Sequence, residues 1–162
     1  MKRHLDYVIF GHMFTVTADM LDELGHANYN ALKEPFENAR HRLLKFLGFG
    51  RKTLRQRLQI GLFMKSDAYT YAAQLKNGDL VMTLPFVRVK GAATIEVELR
   101  FVKIHDHEMN AGGMTLTNTA VYTMVMAQLK SGRPTRLPKE LVKAIADYTA
   151  FQKEYYSPLV IE

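Results

Sequence analysis

The chain contains no cysteine and only three serines, Ser66, Ser131 and Ser157, in 162 residues. The lack of cysteine excludes disulfides, thiolate zinc sites and a cysteine nucleophile together. None of the serines stands in a Gly-x-Ser-x-Gly elbow, and the chain is short for an α/β-hydrolase, which argues against serine-based hydrolysis. No apolar run reaches the roughly 18 residues needed to cross a bilayer. The opening MKRHLDYVIFGHMF begins basic, but Asp6, Gly11 and His12 interrupt any apolar stretch, so no signal peptide is expected. A cytoplasmic location fits these absences.

What is present is ordinary for a globular protein: 48% apolar and 23% charged residues. One domain spanning 1–162 is expected, with its core at about 12–145 and a helical tail after it. The formal charge is +6. Nucleic acid, a membrane surface or a phosphorylated small molecule could each answer it. The basic residues are scattered apart from Arg51-Lys52 with Arg55 and Arg57, and no RRM or zinc-finger signature occurs, which disfavours nucleic acid.

The organising stretch is DELGHANYNALKEPFENARHRLLKFL, residues 22–47. Leu32, Phe36, Ala39, Leu43 and Leu47 recur at steps of three or four, one apolar stripe on a helix that runs to Gly48. Gly48 and Gly50 are read as its C-terminal cap, so GFG is a stop signal and not a phosphate loop. Pro35 predicts a kink or a late helix start.

Around that helix the pattern is strand. Residues 12–19 alternate, 51–58 read as an exposed basic connector, and 60–72 are rich in Phe and Tyr. Asn77-Gly78 is a strong hairpin signal. Residues 80–90 carry Pro85, which points to an edge or a bulge. Residues 93–103 alternate most clearly, residues 114–129 form a Thr- and Val-rich strand, and a short helix is expected from Pro138 to Tyr148. The sum is an α+β domain with an antiparallel sheet, its strands mostly joined as hairpins.

Asp22 precedes a Gly-His-x-Asn turn and a helix N-terminus, where free N–H groups and the helix dipole favour negative charge. A base beside such donors is half of an acyl-transfer site. The plainer alternative is that Asp22 only caps the turn, and Asn28 is a candidate N-cap. His26 and Asn28 are expected to shape the turn; a proton-transfer role for His26 is the lesser reading. Glu37 is placed to pair with Arg40 or His41. His105, Asp106, His107 and Glu108 invite a metal, but an exposed turn accounts for them better, and no metal is expected.

These features together resemble the hotdog-fold acyl-CoA thioesterases of the 4-hydroxybenzoyl-CoA thioesterase type. The resemblance is carried by Asp22, Gly25-His26-Ala27-Asn28, the run Phe36-Glu37-Asn38-Ala39-Arg40, Tyr71 with Gly78-Asp79, Gly132-Arg133, and Leu137-Pro138-Lys139-Glu140-Leu141, over roughly residues 12–145. One departure is Met20, where such proteins often carry another Asp.

The resemblance implies a curved antiparallel sheet wrapped around one long central helix. It also implies homodimers or homotetramers with active sites between subunits, and hydrolysis of a coenzyme A thioester without metal or other cofactor. The implied site is Asp22 as nucleophile or general base, the backbone N–H of Tyr29 as oxyanion donor, and Gly25, His26 and Asn28 around them. Arg51, Arg88 and Lys90 are candidates to meet coenzyme A phosphates. The alternatives are a hotdog module that binds an acyl-CoA or carrier-bound acyl group without catalysis, or a hydratase on the same fold. Some members use a helix Glu, which brings Glu34 and Glu37 into view.

Overall fold

The alternation at residues 93–103 is answered directly. Ile95, Val97, Leu99 and Phe101 are fully buried, while Glu96, Glu98 and Arg100 between them are half-buried. The computed structural model describes residues 12–105 and 113–155. Along it run β1 (His12–Thr15), α1 (Tyr29–Phe46), β2 (Ile60–Tyr71), β3 (Leu80–Gly91), β4 (Thr94–Ile104), β5 (Met114–Gln128) and α2 (Lys139–Tyr155). The five strands form one antiparallel sheet in the order β1-β3-β4-β5-β2.

Helix α1 lies in the curl of that sheet and meets every strand. Arg42 on α1 contacts His12 on β1 at 2.6 Å, and α1 packs on β3. Phe36 stacks on Phe101 of β4 with centroids 3.7 Å apart. Arg40 lies over the Tyr122 ring of β5, and Tyr29 meets Tyr69 of β2 edge-on at 4.7 Å. The expected stripe Leu32, Phe36, Ala39, Leu43 and Leu47 is buried. Each large member contributes about 1.5–3 kcal/mol by leaving water. This is a hotdog arrangement, a sheet wrapped around a central helix, as the resemblance implied.

Several local expectations change. The first strand ends at Thr15, short of the expected residue 19, and a single 3-10 turn follows at Ala18–Met20. Residues 53–57 are not a plain connector but a wide helical turn that buries Leu54. The α1 helix starts at Tyr29 and runs through Pro35, so it does not start late. Proline costs it the bond that the Ala31 carbonyl would accept. Gly48, at φ 86°, makes the left-handed stop; Gly50 has no positive φ.

The Asn77-Gly78 turn does not join paired strands. β2 crosses to the far edge and pairs only with β5, while β3 pairs with β1 and β4. The turn is instead held by Val16, whose N–H donates to the Asp79 carbonyl at 2.9 Å and whose carbonyl accepts from Gly78 at 2.8 Å. Those bonds place residue 80 against Thr15 to begin the β1–β3 ladder.

Pro85 lies past the part of β3 that β1 covers: among the described residues β1 pairs with residues 80–83 alone, and no strand lies beside the rest of that side. There α2, longer than expected, takes over. Tyr148 and Gln152 both donate to the Pro85 carbonyl, and Thr149 donates to the Val87 carbonyl.

Candidate active site

Residues 20–28 fold into a miniature antiparallel loop. The Asn28 N–H donates to the Met20 carbonyl, and the Asp22 N–H to the His26 carbonyl, at 3.2 and 2.9 Å. The Ala27 N–H donates to the Leu75 carbonyl at 2.8 Å, which pins the loop to the segment after β2. Gly25 closes the turn at φ 76°, a left-handed conformation that a side chain would strain.

Inside this loop Asp22 Oδ1 accepts the N–H groups of Leu24 and His26 at 2.9 and 3.1 Å. The other carboxylate oxygen, Oδ2, has no hydrogen-bond partner among the described residues. One oxygen therefore fixes the group and the other faces outward, since Asp22 is exposed. His26 contributes its backbone to the turn. Asn28 is the N-cap of α1, its side-chain oxygen accepting from the Ala31 N–H at 3.0 Å.

Capping Ala31 leaves the first two amides of the helix, at Tyr29 and Asn30, without a partner among the described residues. The Tyr29 N–H is thus a free donor at the positive end of an 18-residue helix.

The wall beside that donor was not legible as a site in the sequence. Tyr29 meets Tyr69 at 4.7 Å and Tyr71 at 6.5 Å, both edge-on. The Tyr69 hydroxyl donates to that of Tyr122 at 3.3 Å. Burial raises the pKa of Tyr69 and Tyr71, and pushes Tyr122 up to about 12, so all three hydroxyls stay protonated near neutrality. Behind them, Glu37 pairs with Arg40 and lies 3.7 Å from His41, the structural pairing expected of it.

The three basic candidates do not form one patch. Arg88 and Lys90 both pair with Glu96 near the end of β3. Arg51 lies beyond the other end of α1, donating to His41 Nε2 at 3.3 Å. Of the proposed metal cluster, only His105 falls within the described residues, where its Nε2 contacts the Thr115 hydroxyl at 2.7 Å. Asp106, His107 and Glu108 lie outside them. No group of three or more candidate metal ligands occurs among the described residues.

Residues 15–145 match the thioesterase-like superfamily. A search of curated proteins found no match. Among solved structures the fold is similar to a Staphylococcus aureus protein in complex with CoA, at 23% identity over 87% of this chain and 84% of that one, with a TM-score of 0.74. It is also similar to the 1,4-dihydroxy-2-naphthoyl-CoA thioesterase of Synechocystis, at 15% identity over 86% and 97%, TM-score 0.71. A third is a gentisyl-coenzyme A thioesterase, at 20% identity over 83% and 98%, TM-score 0.65. With the superfamily match covering most of the chain and the sheet wrapped on its helix, the chain belongs to the thioesterase-like superfamily and is a thioesterase of hotdog fold.

Proposed function

We propose that the protein hydrolyses an acyl-CoA thioester to a free acid and coenzyme A, using Asp22 and the Tyr29 N–H. The observation that carries this is the division of labour within one carboxylate. Asp22 Oδ1 is fixed by two backbone amides while Oδ2 is left without a partner among the described residues, in the loop that leads into a helix N-terminus with a free N–H. Thioester cleavage needs both parts. The carboxylate either attacks the carbonyl carbon and expels the thiolate, or takes a proton from the attacking water. The developing oxyanion needs a donor already in place, and one such donor is worth about 3 kcal/mol of barrier.

Gly25, His26 and Asn28 serve as positioning residues in this reading: the glycine closes the turn, the histidine amide holds Asp22, and the asparagine orients the helix start. No metal or other cofactor takes part. The CoA portion is supported by two similar structures, one in complex with CoA and one a 1,4-dihydroxy-2-naphthoyl-CoA thioesterase. Self-association through β2, which has no strand neighbour beyond it among the described residues, and a cytoplasmic location belong to the same reading.

The test is thiol release from a panel of acyl-CoAs by wild type and Asp22→Asn. Asparagine keeps the oxygen that the Leu24 and His26 amides bind, so the turn survives. Loss of on the order of 10²-fold or more in kcat with binding kept supports the assignment. Equal activity in the two proteins removes Asp22 from the chemistry. If both bind a thioester and neither cleaves it, the non-catalytic acyl-binding module replaces the enzyme.

A further inference from the structure

A groove of ≈ 480 Å³ runs between α2 and the end of β3, on the β3 side of the sheet and away from the β2 edge. Its floor is apolar, built from Val89, Val142, Ile145, Ala146 and Ala150. Val89 and Val142 are 40% and 39% exposed, so apolar surface is left open to water there at a cost. Arg88 and Lys153 stand on the rim, and no carboxylate lines the groove among the described residues. Arg88 pairs with Glu96, while Lys153 has no carboxylate partner among the described residues.

Two small side chains set a spacing. Ala146 and Ala150 lie about one helical turn apart, roughly 6 Å along α2 at the α-helical rise. In an extended segment, alternate residues share a face at about 6.6 Å. Two large apolar residues at i and i+2 of such a segment therefore match the two gaps. The cations on the rim favour negative charge beside them.

The chain carries a segment of this kind directly after α2. Residues 156–162 read YSPLVIE and lie outside the described residues. Ser157-Pro158 is a turn signal, of the sort that returns a chain along the helix it has left. Leu159 and Ile161 stand at i and i+2, and Glu162, the one acidic or basic residue of the seven, is opposite in sign to the rim. The lengths agree. Four residues from Ser157 to Ile161 cover about 13 Å when extended, and nine residues of helix from Tyr155 back to Ala146 cover about 14 Å. Residues 1–11 also hold apolar side chains, but Lys2 and Arg3 outnumber Asp6, the wrong balance for a cationic rim.

We infer that residues 158–162 dock in this groove as an extended strap, with Leu159 seated at Ala150, Ile161 at Ala146 and Glu162 beside Arg88. The strap covers Val89 and Val142. It thereby clamps α2 onto the stretch of β3 whose Pro85 and Val87 carbonyls Tyr148, Thr149 and Gln152 hold. The occupant is the chain itself, and the strap does not depend on the assignment of Asp22.

A chain without cysteine allows a direct test, since every thiol is one that has been placed. Ala146→Cys with Ile161→Cys puts one thiol in the groove and one on the strap. Asp147→Cys with Ile161→Cys is the control, at a position of α2 that does not line the groove. Ala146 and Asp147 are both exposed, so the core is undisturbed. A tethered but undocked segment would bring its thiol to either position at a similar effective concentration. In oxidised glutathione, the first pair of the full-length variant should close an intrachain disulfide at least tenfold faster than the control, read by loss of free thiol and by mobility without reductant. Equal rates, or no closure of the first pair, overturn the docking. Disulfides that join two chains overturn it too, since the groove then takes a second copy. A further variant needs no cysteine: Leu159→Ser with Ile161→Ser should lower the urea midpoint by about 0.5 M or more, and an unchanged midpoint also overturns the strap.

Discussion

The Tyr148 hydroxyl donates to the carbonyl of Pro85 at 2.8 Å, across 63 residues of sequence. Pro85 has no N–H, and β1 pairs with β3 only as far as residue 83, so among the described residues no strand lies beside this carbonyl. Tyr148 is fully buried and ties α2 to that edge. Tyr148→Phe should therefore lower stability by about 0.5–1.5 kcal/mol, the worth of one buried hydrogen bond. Because Gln152 still donates to the same carbonyl, the cost should stay at the lower end, and Tyr148→Phe with Gln152→Leu should cost more than the sum of the two. Urea unfolding of the single and double variants measures both.

The role of the Tyr29 amide can be isolated without deleting the helix start. Position 29 is the first helical residue, where proline is tolerated, and Asn28 already has the extended backbone that a following proline requires. Tyr29→Ala removes the ring and keeps the N–H; Tyr29→Pro removes both. If the amide holds the oxyanion, the proline variant should fall a further 10²–10³-fold in kcat below the alanine variant, on the order of magnitude known for such donors. Equal kcat in the two variants would assign the loss to the aromatic wall formed with Tyr69 and Tyr71.

How far the sequence led differs from element to element. Strand β4 was legible because one face is buried and the other meets solvent, so a period of two survives in Ile95, Val97, Leu99 and Phe101. The α1 stripe was legible for the same reason at a period of three to four, and the ordered motifs led to the superfamily that residues 15–145 match. Asn77-Gly78 misled because turn chemistry reports a local reversal and not which strands pair; the partners of that turn, Val16 and Asp79, lie on either side of the whole α1–β2 excursion. The tyrosine wall was not legible as a unit: Tyr69 and Tyr71 share the period of two on β2, but Tyr29 and Tyr122 come from α1 and β5, and no spacing in sequence joins the three elements.

The pH dependence of stability should show two limbs with known owners. Burial together with Arg40 and Arg51 lowers the His41 pKa, and burial with Arg42 lowers that of His12. The folded protein thus binds these protons less readily than the unfolded chain. Their contribution is complete above the unfolded value near 6.5 and is lost as pH falls from there through the folded pKa. His41→Gln should flatten that lower limb. At the other end, burial raises Tyr122 to about 12, so its contribution is complete below 10 and is lost as pH climbs from 10 through 12. Tyr122→Phe should flatten the upper limb but not abolish it, since Tyr69 is raised as well. Urea midpoints across the two ranges test both signs.

The far edge of the sheet bears on the site itself. β2 is twelve residues long, pairs on one side only, and leaves Phe63 48%, Met64 42% and Tyr71 51% exposed. A long edge with exposed apolar side chains toward both of its ends is a template for another strand. Antiparallel pairing of two β2 strands about a twofold axis would set the Phe63 and Met64 end of one protomer beside the partner's Tyr69 and Tyr71, closing the tyrosine wall next to the Tyr29 amide. Lysine on such an edge opposes pairing, so Ser66→Lys with Ala68→Lys should reduce the assembly toward the 18.6 kDa chain in light scattering. If the site is built between subunits, thiol release should fall at least tenfold in step with the mass, while circular dichroism stays unchanged. A variant that becomes a monomer and keeps its activity would show that one chain carries the complete site.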